Sequence, residues 1–421
     1  MSSRGHQLTR ASKIESLSGF FSSQAWAKKL VLNQLSKMKI GQLKIVDGVN
    51  ISVYGDQSDE TVLSAEIELI NDELFSAVAF NGVIGAGESY MSGAWQTPNL
   101  VKVIQFFVVN MQTVKALDGQ RSWLSRFGFW LIDRAKRNSL QGSKDNISAH
   151  YDLGNDFFSL FLDPTMMYSS AVFPEESYSL EQASLEKLEI ICRQLELSAD
   201  DHLLEIGTGW GGMAVYAAEN YGCKVTTTTI SKQQYEFALK RVEAAGLSGQ
   251  VTVLMEDYRM LEGRYDKLVS IEMIEAVGHQ YFSEYFNGCS NLLKPDGLML
   301  IQAITIADQR YDQALGAVDF IQRYIFPGGC LPSNHIIAHH VAGDTDMTII
   351  GLKDIGLDYA YTLEKWREQF FDKLDQVKTL GFDQRFIRMW DYYLCYCEGG
   401  FRERAISAAQ ILMAKPAYRR A

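Results

Sequence analysis

The stretch that decides the fold is Leu203-Leu204-Glu205-Ile206-Gly207-Thr208-Gly209-Trp210-Gly211-Gly212, which we call the glycine corner. Apolar residues run into a cluster of glycines, and a helical pattern follows at 213–219, so the sequence predicts a buried strand, a tight turn and a helix. Glycine allows the sharp turn and a close approach to a ligand, and the helix start offers free amide groups. The pattern indicates a nucleotide-binding corner, although a plain glycine-rich turn has the same spacing.

The segments after the glycine corner narrow the type of nucleotide site. A dinucleotide site has an acidic residue about 20 residues further on, at the end of the second strand. The strand predicted at 223–231 ends without one, whereas the strand at 251–255 is followed by Glu256-Asp257-Tyr258. With further strands at 267–273 and 298–301, this succession resembles an S-adenosylmethionine-dependent methyltransferase domain.

Composition and charge limit the class of protein. A chain of 421 residues with 47% hydrophobic content predicts a globular protein of two or three structural units. A net charge of -11 argues against a nucleic-acid binder. The polar start is not a secretory signal and no long apolar run is present, so we expect a cytoplasmic protein. The six scattered cysteines predict buried thiols and no metal site.

Positive charge is concentrated at the chain ends and in one aromatic segment. The first forty residues and the last seven are rich in Lys and Arg, and Trp123, Arg126, Trp130 and Arg134 belong to a segment that interleaves cations with large apolar side chains. A helix of this kind can lie in a membrane interface. It can equally pack as an interdomain helix, and the charged ends can simply be solvated.

Local patterns predict the remaining elements. Residues 43–55 alternate like a hairpin and 62–70 like a strand, while the glycines and aromatics of 82–95 favour a tight loop over a pocket or an ordinary turn. An aromatic and acidic segment at 150–171 is suited to cap the glycine corner, and 324–333 is an apolar loop. We expect a further strand to start within 354–361, and helices at 364–378 and 383–412.

Several motifs together resemble cyclopropane-fatty-acyl-phospholipid synthases. They are the glycine corner, Gly87-Glu88-Ser89-Tyr90-Met91, Tyr151-Asp152-Leu153-Gly154-Asn155-Asp156, Tyr168-Ser169-Ser170-Ala171, Thr229-Ile230-Ser231, Gln234, Asp257-Tyr258-Arg259, Glu275 with Val277-Gly278, and Tyr324-Ile325-Phe326-Pro327-Gly328. The resemblance implies an α/β fold, with a Rossmann-like class I methyltransferase domain and a smaller amino-terminal α+β lipid-binding domain. The expected boundaries are 1–114 for the lipid-binding domain, 115–147 for a basic-aromatic helix and linker, and 148–421 for the methyltransferase domain with its cap and carboxy-terminal helices.

The resemblance also implies the reaction. Such enzymes transfer a methyl group from S-adenosylmethionine to the cis double bond of an unsaturated acyl chain in a membrane phospholipid. The expected partners are membrane phospholipids with unsaturated acyl chains and a second copy of the chain in a homodimer, and no nucleic acid. The expected location is cytoplasmic, peripheral on the inner face of the membrane. A methyltransferase of small amines or phenols and a non-catalytic lipid-binding protein compete with this interpretation, but neither needs all of these motifs.

Carried over residue by residue, the resemblance implies two sets of site residues. The cofactor set is Tyr168, Ser169, Gly207, Gly209, Gly211, Thr229, Gln234, Asp257 and Tyr258. The catalytic set, which in the family holds a bicarbonate ion that removes a proton, is Ser170, Glu275, Gln302, Ile304 and Tyr359.

Two positions of the catalytic set depart from the family. Ser170 stands where the family usually has Cys, and Gln302 where it has His. An amide can still donate a hydrogen bond but cannot carry the charge of an imidazolium. The base is then bicarbonate held more weakly, or Glu275 alone. If the proton leaves a neighbouring carbon, the product is a methyl-branched or methylene chain and not a cyclopropane.

Overall fold

A computed structural model describes residues 24–56, 63–111 and 153–419 of the chain. The predicted basic-aromatic segment at 115–147 lies outside these ranges, as do residues 1–23 of the cationic amino terminus. The described residues divide into two compact units. The first contains the described residues before 112 together with Asp383–Gly399, and the second contains 153–382 and 400–419.

The first unit is built on a four-stranded sheet of order β2-β1-β3-β4. Its elements are α1 (24–35), β1 (Gln42–Asp47), β2 (Asn50–Gly55), β3 (Ser64–Leu69), α2 (Glu73–Met91), β4 (Trp95–Gln96) and α3 (Leu100–Val109). Strands β1 and β2 pair antiparallel around a turn in which Gly48 has a φ of 59°. The predicted hairpin at 43–55 is therefore confirmed, and β3 confirms the strand predicted at 62–70.

The glycine-rich residues 82–95 are helical through Met91, so the predicted loop is wrong. Gly82 has a φ of 57° and kinks α2 without ending it. A Cβ at Gly85 would collide with the carbonyl of Ala77 within the same helix. These glycines therefore permit a bend and close packing inside a helix, roles that composition alone does not distinguish from those of a loop.

The second unit is organised around a seven-stranded sheet of order β10-β11-β9-β8-β5-β6-β7. The strands are β5 (His202–Ile206), β6 (Lys224–Thr228), β7 (Val251–Leu254), β8 (Tyr265–Ile271), β9 (Leu293–Ile306), β10 (Thr348–Asp354) and β11 (Ile406–Ala414). Strands β5 to β9 pair parallel with their neighbours, and β11 runs antiparallel between β9 and β10. The α/β prediction is confirmed.

Helices connect and flank these strands. They are α4 (Asn155–Phe158), α5 (Leu180–Gln194), α6 (Gly212–Tyr221), α7 (Lys232–Ala244), α8 (Phe282–Leu292), α9 (Tyr311–Leu315), α10 (Phe320–Tyr324), α11 (Asn334–Asp344), α12 (Gly356–Asp372), α13 (Leu374–Thr379) and α14 (Gln384–Arg402). Among the residues that the structure describes, no helix is both long enough and apolar enough to cross a bilayer.

Two predictions for the carboxy-terminal third are wrong. The strand expected within 354–361 ends at Asp354, and α12 begins at Gly356, where a Cβ would collide with the Ser407 hydroxyl of β11. The helix expected to reach residue 412 ends at Arg402, and β11 follows. A continuous apolar run such as β11 fits a buried strand or a buried helix equally well, so its period does not decide between them.

The sheet brings the ends of four neighbouring strands to one edge. Strands β8, β5, β6 and β7 are adjacent and parallel, so their carboxyl ends lie side by side. Ligands of open α/β sheets bind at this edge. The glycine corner, Thr229, Asp257 and Glu275 all follow directly after one of these strands.

Candidate functional site

The glycine corner has the conformation that its sequence predicts. Gly207, Gly209 and Gly211 have φ values of 99°, 50° and 83°, in the left-handed region that side chains disfavour. Apart from Gly209 itself and its two chain neighbours, no heavy atom of the described residues lies within 4 Å of the position that a Cβ on Gly209 would take. The corner thus leaves open space against its backbone, as a site for the nucleoside part of a cofactor requires.

The segment that carries Tyr168 and Ser169 packs onto this corner. Arg241 of α7 donates to the carbonyls of Pro164 and Thr165, at 2.7 and 2.6 Å. A Cβ on Gly212 would lie 2.6 Å from the Thr165 carbonyl oxygen, so only glycine allows this approach. The corner and the predicted cap residues therefore form one continuous wall.

The other predicted cofactor residues lie at the ends of the next two strands. Thr229, just past β6, donates its hydroxyl to Gln234 Oε1 at 2.9 Å, and both side chains are buried. Asp257, past β7, pairs with Arg259 through contacts of 2.7 and 2.8 Å. The ring of Tyr258 lies edge-on to Tyr285 at 5.5 Å. These groups are positioned by their neighbours before any ligand binds.

Glu205, at the end of β5, fits a cationic ligand. Its side chain is buried, and its Oε2 has no hydrogen-bond partner among the described residues. Burial raises the pKa of Glu205 to about 8. A buried carboxyl with an unpaired oxygen is stabilised by a positive charge nearby, and S-adenosylmethionine carries an ammonium and a sulfonium. The open corner and this carboxyl together fit that cofactor.

Aromatic rings enclose Tyr168. Its ring centroid lies 5.2 Å from Phe158, 5.1 Å from Trp366 and 6.3 Å from Phe326 of the apolar loop. Phe158 in turn lies 5.1 Å from Trp210 of the glycine corner. The faces of such rings attract cations, so this enclosure can stabilise positive charge while it excludes water.

Next to this enclosure, three of the predicted catalytic residues converge on Glu272. The backbone amide of Ser170 and the side-chain amide of Gln302 donate to Glu272 Oε1, at 2.9 and 2.8 Å. The hydroxyl of Tyr359 donates to Oε2 at 2.6 Å. Ser170, Gln302 and Tyr359 are buried. We call these four residues the Glu272 cluster.

The departures at Ser170 and Gln302 have simple structural consequences. The Ser170 hydroxyl donates to the Ala171 carbonyl at 2.9 Å, so its backbone amide alone meets Glu272. The Gln302 amide is oriented by a relay that we call the amide relay. Gln194 donates to Gln410 at 3.0 Å, and Gln410 donates to Gln302 Oε1 at 3.1 Å. Since a carboxylate only accepts, the NH2 of Gln302 faces Glu272 and its oxygen accepts from Gln410.

The remaining two predicted catalytic residues, Glu275 and Ile304, meet each other. Ile304 N donates to Glu275 Oε1 at 2.5 Å, while Glu275 Oε2 has no partner within the described part of the chain. Burial, and then the charge of Glu272, raise the pKa of Glu275 to about 8. This environment therefore favours the neutral form of Glu275.

Glu272 is a site residue that the sequence reasoning missed. Its φ of 50° is left-handed, a conformation that costs a non-glycine residue roughly 1–2 kcal/mol. Burial raises the pKa of Glu272 above its usual value, and the hydrogen bonds from Tyr359, Gln302 and Ser170 and the charge of Lys187 offset only part of that rise. The signal was an acidic residue at the carboxyl end of the apolar β8, which had been assigned to the interior of the strand.

Comparisons with known proteins identify the family. Residues 138–411 match the mycolic acid cyclopropane synthetase family. The chain is 37% identical over 355 residues to the cyclopropane-fatty-acyl-phospholipid synthase of Escherichia coli strain K12, covering 83% of this chain and 88% of that one. It is 36% identical over 346 residues to the tuberculostearic acid methyltransferase of Mycobacterium tuberculosis, covering 80% of each.

A solved structure gives the same result. A mycolic acid cyclopropane synthase complexed with SAH and CTAB matches with a TM-score of 0.60 and 30% sequence identity, over 65% of this chain and 98% of that one. SAH is the form of the cofactor that remains after methyl transfer, and it was bound in that relative. On these grounds the chain belongs to the mycolic acid cyclopropane synthetase family and is an S-adenosylmethionine-dependent methyltransferase with a class I α/β fold.

Proposed function

We propose that the protein adds a methyl group to the cis double bond of an unsaturated acyl chain in a membrane phospholipid and closes it to a cyclopropane. One observation carries this proposal. The short segment 168–170 joins an aromatic enclosure around Tyr168 to a buried carboxylate at Glu272. The first can stabilise a carbocation and the second can accept its proton, and lipid-modifying relatives at 36% and 37% identity use acyl chains.

When bound, the cofactor supplies an electrophilic methyl group. An alkene is a weak nucleophile, so the protein must align the acyl chain and exclude water. The rings of Tyr168, Phe158 and Trp366 can face the positive charge that develops on the chain, at on the order of 1–2 kcal/mol for each desolvated ring.

We assign cofactor binding to the residues that line the carboxyl edge of the sheet. They are Tyr168, Ser169, Gly207, Gly209, Gly211, Thr229, Gln234, Asp257 and Tyr258. The supporting observations are the open glycine corner, the fixed side chains at the ends of β6 and β7, and the unpaired oxygen of Glu205. The acid-base chemistry is assigned to Ser170, Glu275, Gln302, Ile304 and Tyr359 around Glu272.

A methyl-branched or methylene acyl chain is the second candidate product. The observation that favours it is the amide at Gln302 in place of an imidazole, because the site then has one fewer group that can carry a proton. A relative at 36% identity is a tuberculostearic acid methyltransferase, so a methyl-transferring member of the family is named for a product other than a cyclopropane.

Association with the inner face of the membrane, through the amino-terminal domain, is also part of the proposal. Strand β2 of that domain and the turn before it expose Ile51, Val53 and Val49, which are 59%, 39% and 96% accessible. Apolar side chains on one edge strand can enter a lipid interface, where cations on the same domain would hold anionic headgroups.

The test uses cells that express the protein and are fed methyl-labelled methionine. Mass spectrometry should find the label in phospholipid acyl chains that have gained one carbon. Mild hydrogenation then separates the products. A methyl-branched or methylene chain formed by proton loss keeps a C=C bond and takes up hydrogen, whereas a cyclopropane resists. Labelled small amines with unlabelled lipid would contradict the proposal.

A further inference from the structure

We propose that Glu272 is the catalytic base, a carboxylate of the protein that stands in the place of a bound bicarbonate ion. The inference rests on the proposed function, since it names the group that takes the proton in that reaction. It comes from the Glu272 cluster, in which three of the five residues assigned to the bicarbonate site donate hydrogen bonds to the Glu272 carboxylate.

The geometry of the donors is that of an anion cradle. Ser170 N and Gln302 Nε2 reach one carboxylate oxygen and Tyr359 Oη reaches the other, at 2.6–2.9 Å. Bicarbonate offers a similar planar pair of oxygens. While Glu272 fills the cradle, an external ion would have to displace a tethered carboxylate whose effective concentration is far higher, so the free ion loses the competition.

The cradle is built for this carboxylate from several directions. The amide relay fixes the NH2 of Gln302 toward it, and the Tyr359 ring is stacked on Phe401 at 4.4 Å. The fully buried Lys187 donates to Ser169 at 2.9 Å and its charge favours the ionised form of Glu272. Burial, and then the charge of Glu272, raise the pKa of the neighbouring Glu275 to about 8, so the two carboxyls disfavour ionising together. The three donors of the cradle favour Glu272 as the carboxyl that ionises.

The backbone conformation of Glu272 indicates that its side chain has a functional role. At a φ of 50°, glycine would be relaxed and glutamate is not. A residue held in a disfavoured conformation beside a ligand site is a reason to look for a role in the chemistry. Met273, the residue after Glu272, lies 3.5 Å from the position that a Cβ on Gly207 would take. Glu272 therefore adjoins the glycine corner, where we place the cofactor.

After the methyl group has bonded to one alkene carbon, the other carbon is a cation. Glu272 takes a proton from the new methyl group, the electron pair of that C–H bond forms the third bond of the ring, and the carboxylate becomes a carboxylic acid. It then loses the proton to solvent and returns to its starting state. Proton loss from a different carbon gives an alkene with the same base.

The test compares the wild type with Glu272→Gly, which empties the cradle and relaxes the backbone. Turnover is measured with S-adenosylmethionine and vesicles of dioleoyl phosphatidylglycerol in carbon-dioxide-free buffer, with and without added bicarbonate. We expect Glu272→Gly to lose about 100-fold or more in turnover, and bicarbonate to restore at least tenfold. The wild type should be indifferent to bicarbonate.

A second measurement needs neither cofactor nor lipid. Bicarbonate should raise the thermal unfolding midpoint of Glu272→Gly, because it binds the folded state alone, and should leave the wild type unchanged. Glu196→Gly is the matched control, since Glu196 is an exposed glutamate with a φ of 53°. Glu196→Gly should relieve the left-handed strain in the same way. Added bicarbonate should change neither its turnover nor its thermal unfolding midpoint. If Glu272→Gly does not fold, Glu272→Gln replaces it, with turnover lost in a folded protein.

Several results would overturn the proposal. They are a wild type that slows without carbon dioxide and recovers with bicarbonate, a Glu272→Gly variant with wild-type turnover, or a variant whose lost turnover and unfolding midpoint do not respond to bicarbonate. A wild type that methylates no lipid would instead contradict the proposed function. The unfolding measurement would still report on the cradle in that case, so the two failures are distinguishable.

Discussion

Glu272 and Glu275 lie three residues apart after the same strand, and the fold gives them different hydrogen-bond partners and different neighbouring charges. Glu272 receives three hydrogen bonds and the favourable charge of Lys187. Glu275 receives one hydrogen bond from Ile304 and faces the negative charge of Glu272. Burial raises the pKa of both carboxyls; three donors and the charge of Lys187 offset part of that rise at Glu272, whereas the negative charge of Glu272 adds to it at Glu275. The difference teaches that donors, not residue type, decide which carboxyl can act as a base.

The strongest test of this comparison is a pair of amide substitutions. Glu272→Gln removes the proposed base and should lower turnover by about 1000-fold, within the range for loss of acid-base catalysis. Glu275→Gln imitates the neutral form that the site already favours, so turnover should fall by only about tenfold. Initial rates of lipid methylation measure both. A reversed order of the two losses would make Glu275 the base.

The second test determines the protonation of Glu275 from the pH dependence of the free energy of unfolding. Its pKa is raised from 4.5 to about 8 in the folded state, so the folded protein binds the proton more tightly than the unfolded chain. The free energy of unfolding should therefore fall as pH rises from about 5 to about 8, with this residue contributing up to about 4 kcal/mol. Urea unfolding across pH should show a shallower slope for Glu275→Gln. An unchanged slope would mean that Glu275 is already ionised.

A third test asks whether Glu272 or Glu275 contributes to cofactor affinity, and we expect that neither does. Gly209→Ala places a methyl group in the open space of the glycine corner and should weaken S-adenosylmethionine binding at least about tenfold, or roughly 1.4 kcal/mol. Gly246→Ala is the control, because Gly246 also has a left-handed φ, of 72°, and open surroundings. Calorimetry should give near wild-type affinity for Gly246→Ala, Glu272→Gln and Glu275→Gln. Wild-type affinity in Gly209→Ala would place the ligand elsewhere.

The smallest expected effect concerns the amide relay. Gln410→Leu removes the donor to Gln302 Oε1 while it keeps the size of the buried side chain. Gln302 can then rotate its NH2 away from Glu272, so turnover should fall about three- to tenfold and shift its pH dependence. Gln194→Leu, one position further along the relay, should have less effect. Equal losses of stability and no change in the pH profile would mean that the relay is only structural.

The sequence predicted best what depends on local backbone geometry. The glycine corner needs a left-handed φ at alternate residues. The glycines at 207, 209 and 211 therefore predict its conformation directly from the sequence. Strand β11 and helix α12 were misassigned because their identity depends on packing against distant strands, as at the contact of Gly356 with Ser407. Such contacts join residues about fifty positions apart and leave no local pattern.

The Glu272 cluster was predicted only in part, for the same reason. Resemblance to a family supplied Ser170, Gln302 and Tyr359, but not the group at which they point. Glu272 lies 102 residues from Ser170 and 87 from Tyr359, so no spacing rule connects them. The sequence shows an acidic residue at the end of an apolar strand. Because the predicted strand extends to residue 273, Glu272 falls inside it and is not identified as a site residue.

We expect the unpaired carboxyl of Glu205 to couple cofactor binding to the release of a proton. With a pKa of about 8, Glu205 is largely protonated in the free protein at neutral pH. A cationic ligand at the glycine corner lowers that pKa, so a proton leaves as the ligand enters. Affinity should then rise with pH up to about 8, and the measured heat of binding should vary with the ionisation enthalpy of the buffer. Occupancy of the site is then expected to depend on the pH of its surroundings before any bond is made or broken.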